Sequence, residues 1–171
     1  QELLHLYPRQ TAFRVDRVRK GQAHQGGDAG GARHQRVEWN VDAGFLPVMM
    51  EYFAASGANP PYLACMKKVA EAGVLVVIVA QWYGWVPPDQ PDPKVAKSIT
   101  WLECEEARRL GQEVLAFVVD KTCEWPVELE EAYRTFQAAK ERKLTAKLTN
   151  EVNRNIKKLE QFKKWLDSIG V

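Results

Sequence analysis

The chain has 171 residues, with 24 lysines and arginines against 22 acidic residues, so its formal net charge is +2. This length suits one domain with a real core, and the near-neutral charge gives no general electrostatic reason to bind nucleic acid. No run of about 18 apolar residues is present and no signal-peptide core opens the chain, so we expect a cytoplasmic protein without a membrane span. Cys65, Cys104 and Cys123 form no Cys-x-x-Cys pair, which argues against a disulfide framework or a zinc site.

Residues 1–38 differ in composition from the rest, and we expect a poorly ordered or atypical N-terminal segment. They hold five of the 11 glycines and many glutamines and arginines. The opening run from Leu3 to Tyr7 fits a short strand that Pro8 ends, and the arginine-rich stretch after it has no clear apolar face. The three histidines match no common ligand spacing, so no metal site is predicted at His5, His24 and His34.

A regular pattern begins near residue 39. A strand is predicted from Phe45 to Met50, and a loop of small residues follows. Asn59-Pro60-Pro61 marks the start of a helix, since a proline fits the first helical turn, and Gly73 marks its end. One apolar stripe of this helix should pack on a sheet as core: Tyr62, Cys65, Met66, Val69 and Ala72.

Residues 74–120 predict a β-α-β unit. The runs 74–80 and 114–119 are apolar and rich in β-branched residues, which favours strands buried on both faces of a parallel sheet. Residues 99–110 have helical spacing, and Gly111 stands where a left-handed cap would end the helix. The loops that leave both strands should therefore lie at one sheet edge, where such folds bind ligands.

The connection 82–97 contains four prolines and is longer than an ordinary strand-to-helix loop. A binding loop or lid and an insertion without consequence are both open interpretations. Five aromatic residues should lie near the same edge, where stacking on a planar ligand and covering the core are alternatives: Trp82, Tyr83, Trp85, Trp101 and Trp125.

The helix near residue 100 fits a capping box formed by Thr100 and Glu103, which is the structural interpretation of that glutamate. A further helix is predicted from Glu128 to about Lys143, and Thr149 or Asn150 should cap a last amphipathic helix. The two helices predict a C-terminal helical hairpin in residues 128–171, after an α/β domain in residues 39–127. No P-loop, dinucleotide or nucleophile-elbow motif occurs, so those three chemistries lack their best markers.

Several short motifs occur together in a fixed order: the run from Glu51 to Ser56, Tyr83-Gly84 with Val86-Pro87, Ser98-Ile99-Thr100 leading into Leu102-Glu103, and Trp125-Pro126. In order and spacing they resemble domain of unknown function family 4062, from about residue 43 to 126 and more weakly to residue 166. The resemblance implies a TIR-like, flavodoxin-like parallel sheet flanked by helices.

The chain also departs from that family. The usual opening strand, Ser-Ser-Thr and acidic helix start have no match in residues 1–40, so that region is either replaced or not the native reading of the gene. Trp101 stands where the family has an acidic residue, and Trp82 where an arginine often precedes Tyr-Gly. The expected site is therefore incomplete in its first loop.

The resemblance implies a signalling or defence module that acts through protein partners or self-association, as part of a larger multidomain protein. The alternative is an enzyme that cleaves NAD as its substrate with Glu103, needing no cofactor. The candidate ligand-binding residues are Tyr83, Gly84, Trp85, Ser98, Thr100 and Asp120. A third interpretation is a flavodoxin-like domain that binds a nucleotide or flavin.

Overall fold

The structure is a computed structural model that describes residues 11–17, 45–48 and 61–171, except positions 93 and 121. Four strands and four α-helices make up the described part. The strands are β1 (Thr11–Arg17), β2 (Phe45–Val48), β3 (Val74–Val79) and β4 (Glu113–Val118). The helices are α1 (Pro61–Glu71), α2 (Ile99–Arg109), α3 (Tyr133–Lys140) and α4 (Ala146–Ser168), and a short 3-10 helix covers Val127–Leu129.

The strands form one sheet in the order β2-β1-β3-β4. β3 and β4 pair in parallel from Val74 opposite Glu113 to Val79 opposite Val118, with α2 between them along the chain. This confirms the predicted β-α-β unit. β1 runs antiparallel to both of its neighbours, so the described sheet is mixed rather than wholly parallel.

Strand β1 lies inside the segment for which the composition predicts poor order. Thr11–Arg17 pairs with β2 on one side and with β3 on the other. These seven residues form a strand although the composition of the segment predicts poor order, and the expectation of a poorly ordered or atypical segment for residues 1–38 stays a prediction. The other residues of 1–38, including the predicted strand at 3–7 and all three histidines, lie outside the described residues.

One face of the β3–β4 pair is closed and the other is open. Leu75, Val77 and Val79 alternate along β3 with no exposed surface, under a core to which α1, α2 and α4 all contribute. On the opposite face Ile78 is 39% exposed, and its neighbour Phe117 on β4 is 61% exposed. Among the described residues, the predicted burial is therefore confirmed for one face only, since the described core helices lie on a single side.

The C-terminal helix α4 is part of this core. Phe162 has no exposed surface and stacks on Trp101 of α2, with ring centroids 5.3 Å apart.

α4 starts at Ala146 because the side chain of Thr145 accepts the backbone N–H of Leu148 at 3.1 Å. The predicted cap at Thr149 or Asn150 was therefore one turn late. α3 is also shorter than predicted, and the hairpin arrangement of the two helices stays a prediction.

Within the described residues, no helix combines the length and the apolar character that crossing a membrane would require.

Candidate functional site

The long loop after β3 is fastened to the start of α2 by a buried tyrosine. The hydroxyl of Tyr83 donates to the carbonyl oxygen of Ala96 at 3.1 Å and accepts the backbone N–H of Ser98 at 3.0 Å. The backbone N–H of Ile99 donates to the carbonyl oxygen of Trp85 at 2.9 Å. Burial raises the pKa of the Tyr83 phenol to about 12. The two ends of the loop are therefore held together from the inside.

A second buried side chain holds the middle of this loop. Gln90 is 5% exposed, and its side-chain nitrogen donates to the carbonyl oxygen of Pro87 at 2.8 Å. Its side-chain oxygen accepts the backbone N–H of Lys97 at 3.1 Å. These bonds satisfy backbone groups that would pair with other backbone groups in a strand or a helix. The loop therefore forms an ordered wall beside α2.

Two residues of the loop have left-handed backbone conformations. Gly84 has φ of 84°, which explains why glycine follows Tyr83. Ala96 has φ of 50°, and a non-glycine residue there carries strain of roughly 1–2 kcal/mol. The carbonyl of Ala96 is the one that the Tyr83 hydroxyl holds, so that buried hydrogen bond helps to keep the strained conformation in place.

The start of α2 differs from the predicted capping box. Ser98 is the N-cap residue, and its hydroxyl accepts the backbone N–H of Trp101 at 3.4 Å. Thr100 is therefore the second residue of the helix and Glu103 the fifth, too far along for the reciprocal bond of a capping box. The prediction was wrong because Ser98-Ile99 offers an earlier cap with the same chemistry.

Glu103 lies on the inward face of α2. It is 1% exposed, and it shares this face with Thr100, Cys104 and Ala107 at helical spacing. Burial first, and then the nearby carboxylates of Glu103 and Glu105, raise the pKa of the Cys104 thiol well above its usual value. Cys104 is thus held as an inert core thiol, and the Glu103 carboxylate is shielded from water.

The other two candidates lie at the surface. Trp85 is 42% exposed beside the loop wall. Asp120 follows β4 and accepts the backbone N–H of Thr122 at 2.7 Å, together with the hydroxyl of the same threonine. These bonds lower the pKa of the Asp120 carboxyl and build a turn. The structure therefore brings Tyr83, Gly84 and Ser98 together, while the hydrogen bonds of Asp120 stay within its own turn.

A buried carboxylate that the sequence did not reveal lies below the same loop. Glu131 is 1% exposed and accepts the backbone N–H of Tyr83 at 3.2 Å, the Asn155 amide at 2.9 Å and the Arg134 guanidinium at 2.7 Å. Arg134 also pairs with Glu151 of α4 at 2.7 Å. The cluster joins the end of β3 to α4. Asn155 is the one member with a sequence signal, as a polar residue within an apolar stripe.

The chemistry that these residues can perform is limited by their burial. Among the described residues, no group of three or more histidines, cysteines or acidic residues is placed to hold a metal ion. A cavity of about 270 Å³ lies beside α2, on the opposite side of the helix from Glu103. None of the seven candidate residues belongs to its described lining.

Comparison with known families covers most of the chain. A family model matches residues 27–168, which extends the sequence resemblance through both C-terminal helices. No curated protein and no solved structure matches significantly. Because the match spans well over half of the sequence, the chain belongs to the family described as Domain of unknown function (DUF4062).

Proposed function

We propose that this chain is a TIR-like module of signalling or defence that acts by protein–protein interaction, and that it associates with itself through the open face of its sheet. The observation that carries the proposal is the apolar surface on β3 and β4. Ile78, Leu115 and Phe117 lie side by side on that face and are 39%, 43% and 61% exposed. Exposed apolar residues that adjoin one another on one face are typical of interaction surfaces.

The position of β4 adds a second support. β4 stands at one end of the strand order, and among the described strands it has a hydrogen-bonded neighbour on one side only. An edge strand with apolar side chains is a template for pairing with another strand. The order β2-β1-β3-β4 also agrees with the order of flavodoxin-like sheets, although β1 runs in the opposite direction.

The burial of the candidate catalytic residues favours interaction over catalysis. Glu103, Tyr83 and Ser98 are at most 1% exposed, so the described residues leave no open path to that carboxylate. Trp101, which replaces an acidic residue of the family pattern, packs against Phe162 in the core. A glutamate needs contact with the substrate to act on it.

The experiment measures the molar mass of the purified chain by light scattering over a range of concentrations. The wild type should become heavier as its concentration rises, and Phe117→Asp should keep it monomeric. Phe136→Asp is a matched control, because Phe136 is 62% exposed on α3, away from the sheet. A wild type that stays monomeric throughout, or equal effects of the two variants, would contradict the proposal.

NAD cleavage is the second candidate function. What supports it is the position of Glu103 in α2, the helix that follows the long loop, while its exposure of only 1% counts against access by a substrate. Nicotinamide release by the wild type, lost in Glu103→Gln without a change in folding, would establish the enzyme. No release from well-folded protein at high concentration would remove this alternative.

A further inference from the structure

The cavity of about 270 Å³ beside α2 is built by three parts of the chain. Tyr62 and Met66 come from the first turns of α1, and the loop before α2 supplies one wall. From α2 come four residues spaced as one outward helical stripe, which is the side opposite Glu103: Leu102, Glu105, Glu106 and Arg109.

The lining has more negative than positive charge. Three carboxylates, from Asp92, Glu105 and Glu106, face two cations. Both cations are already engaged, because Lys97 pairs with Glu105 at 2.5 Å and Arg109 pairs with Glu106 at 2.7 Å. Asp92 accepts a backbone N–H at 3.0 Å, and its carboxylate has further acceptor sites. The negative excess is therefore on the loop side.

The pKa of a tyrosine that lines the cavity agrees with this negative charge. The pKa of the Tyr62 phenol is raised, first by burial and then by the carboxylates of Glu106, Asp89 and Glu105. A cation placed near this hydroxyl would experience attraction from the same carboxylates. The aromatic ring of Tyr62 offers a surface on which a planar cation can stack.

The cavity also has an apolar part and a fixed wall. Met66 and Leu102 supply aliphatic surface on which the methylene groups of a long side chain can pack. Gln90 holds the loop wall through its bonds to Pro87 and Lys97. A wall that is already ordered reduces the entropy lost on binding.

The size of the cavity limits its occupant. Pockets for drug-sized ligands measure about 300–1,000 Å³, so a space of about 270 Å³ suits one side chain better than a dinucleotide. An occupant with an aliphatic stem and a planar cationic head can contact all three parts of the lining. The stem packs on the apolar part, and the head pairs with the carboxylates and stacks on the tyrosine. Arginine has these properties, whereas lysine lacks the planar head.

We propose that this cavity receives an arginine side chain from a segment of a partner protein, with the guanidinium at Asp92 and Glu105 and the methylene groups on Met66 and Leu102. The inference rests on the proposed interaction function and names the chemistry of one partner. It uses a surface on the helical side of the sheet, which differs from the open face proposed for self-association.

The test titrates the full chain with a short, end-blocked, dye-labelled peptide that has one central arginine between leucines. The comparison peptide carries citrulline, which has nearly the same shape without the charge. At low salt the arginine peptide should bind about tenfold more tightly, because a charge-assisted hydrogen bond is stronger than a neutral one. Its affinity should fall as ionic strength rises.

Two variants locate the binding site, and a third is the control. Asp92→Asn and Glu105→Gln should each weaken binding of the arginine peptide several-fold, by roughly the amount that separates charged from neutral hydrogen bonds. Asp167→Asn removes an exposed carboxylate of α4 outside the cavity and should leave the affinity unchanged. Melting curves of the variants verify that each is folded.

Equal binding of the two peptides, no binding of the arginine peptide, or no effect of the two cavity variants would overturn the inference. The molar mass of the same samples is measured by light scattering. Wild-type self-association without peptide binding would reject the arginine site alone, while peptide binding by a monomeric chain would reject the sheet-face proposal alone.

Discussion

At the scale of single residues, buried polar side chains hold the loop after β3 in place, because this loop lacks the regular backbone hydrogen bonds of a helix or a strand. The Tyr83 hydroxyl and the Gln90 amide hold a loop of more than a dozen residues with hydrogen bonds of about 3 Å. Tyr83 can be singled out in the sequence as an aromatic residue at a sheet edge. Gln90 cannot be singled out in this way, because the sequence around a glutamine between prolines does not distinguish an ordered loop from a solvated one.

Tyr83→Phe should lower the free energy of unfolding by about 1–3 kcal/mol, because the Ser98 N–H loses its buried acceptor and the Ala96 carbonyl its donor. Tyr133→Phe, at a half-buried tyrosine of α3, should change it by less than about 0.5 kcal/mol. Urea denaturation followed by circular dichroism measures both. Equal losses in the two variants would mean that the Tyr83 hydroxyl does not hold the loop.

Alkaline pH should weaken the fold through the same phenol. Burial raises the pKa of Tyr83 from 10.0 to about 12, so the folded state keeps a proton that the unfolded state releases earlier. The resulting stabilisation is complete below about pH 10 and is lost as the pH rises towards 12. The unfolding free energy of the wild type should therefore fall more steeply across this window than that of Tyr83→Phe. Parallel curves for the two proteins would exclude the effect.

At the scale of elements, α4 is joined to the end of β3 by the Glu131 cluster as well as by apolar packing. The carboxylate accepts from Tyr83, Arg134 and Asn155, and Lys163 of α4 donates to the Gln81 side chain at 3.0 Å. A helix that could be taken for an appendage is thus part of the core. The periodic apolar stripe of α4 predicts that this helix exists and which face of it is buried. The stripe does not predict which strands and helices that face covers.

Glu131→Ala should destabilise the protein by about 3–5 kcal/mol, since it leaves the Arg134 cation and two buried donors without this acceptor. Glu124→Ala, at an exposed glutamate of the loop after β4, is the control and should be nearly neutral. Chemical denaturation compares the two. A small effect of Glu131→Ala would show that water can replace the carboxylate and that α4 is held by its apolar face alone.

The predictions from sequence succeeded where a strong local pattern coincides with the packing. β3, α2 and β4 were predicted within a residue or two, because long apolar runs and a C-terminal glycine leave few alternatives. The cap of α2 was predicted two residues late, since Ser98 and Thr100 are chemically equivalent caps and only the observed fold selects between them. Strand β1 was missed because its pairing depends on backbone contacts with distant residues.

At the scale of the whole molecule, the described residues place helices on one side of the sheet and leave apolar side chains exposed on the other. Apolar runs in β3 and β4 predict burial, but they cannot tell whether the second face is covered by the same chain or by another molecule. Leu75, Val77 and Val79 lie on the first face, which the helices of this chain cover, and the exposed Phe117 on the second face is the basis for proposing that another molecule covers it. Of the candidate site residues, Tyr83 and Ser98 meet through a hydrogen bond, as expected from their places at one sheet edge, and their role in ligand binding stays a prediction.

A pair of adjacent substitutions in β3 tests this two-sided arrangement. Val77→Asp places a carboxylate in the closed core and should prevent folding or cost several kcal/mol, because an ion without a partner is strongly disfavoured there. Ile78→Asp places the same group on the open face, where the side chain is 39% exposed, and should leave a folded protein. Circular dichroism and melting curves distinguish them, and a folded Val77→Asp would refute the closed core.

The most direct measurement of the central claim is hydrogen–deuterium exchange of residues 113–118 at low and high protein concentration. If β4 and the open face form the self-association surface, the backbone amides of this strand should exchange more slowly at high concentration, and Phe117→Asp should abolish the difference. Exchange of β4 that is identical at both concentrations, in a chain that remains fully folded, would contradict it.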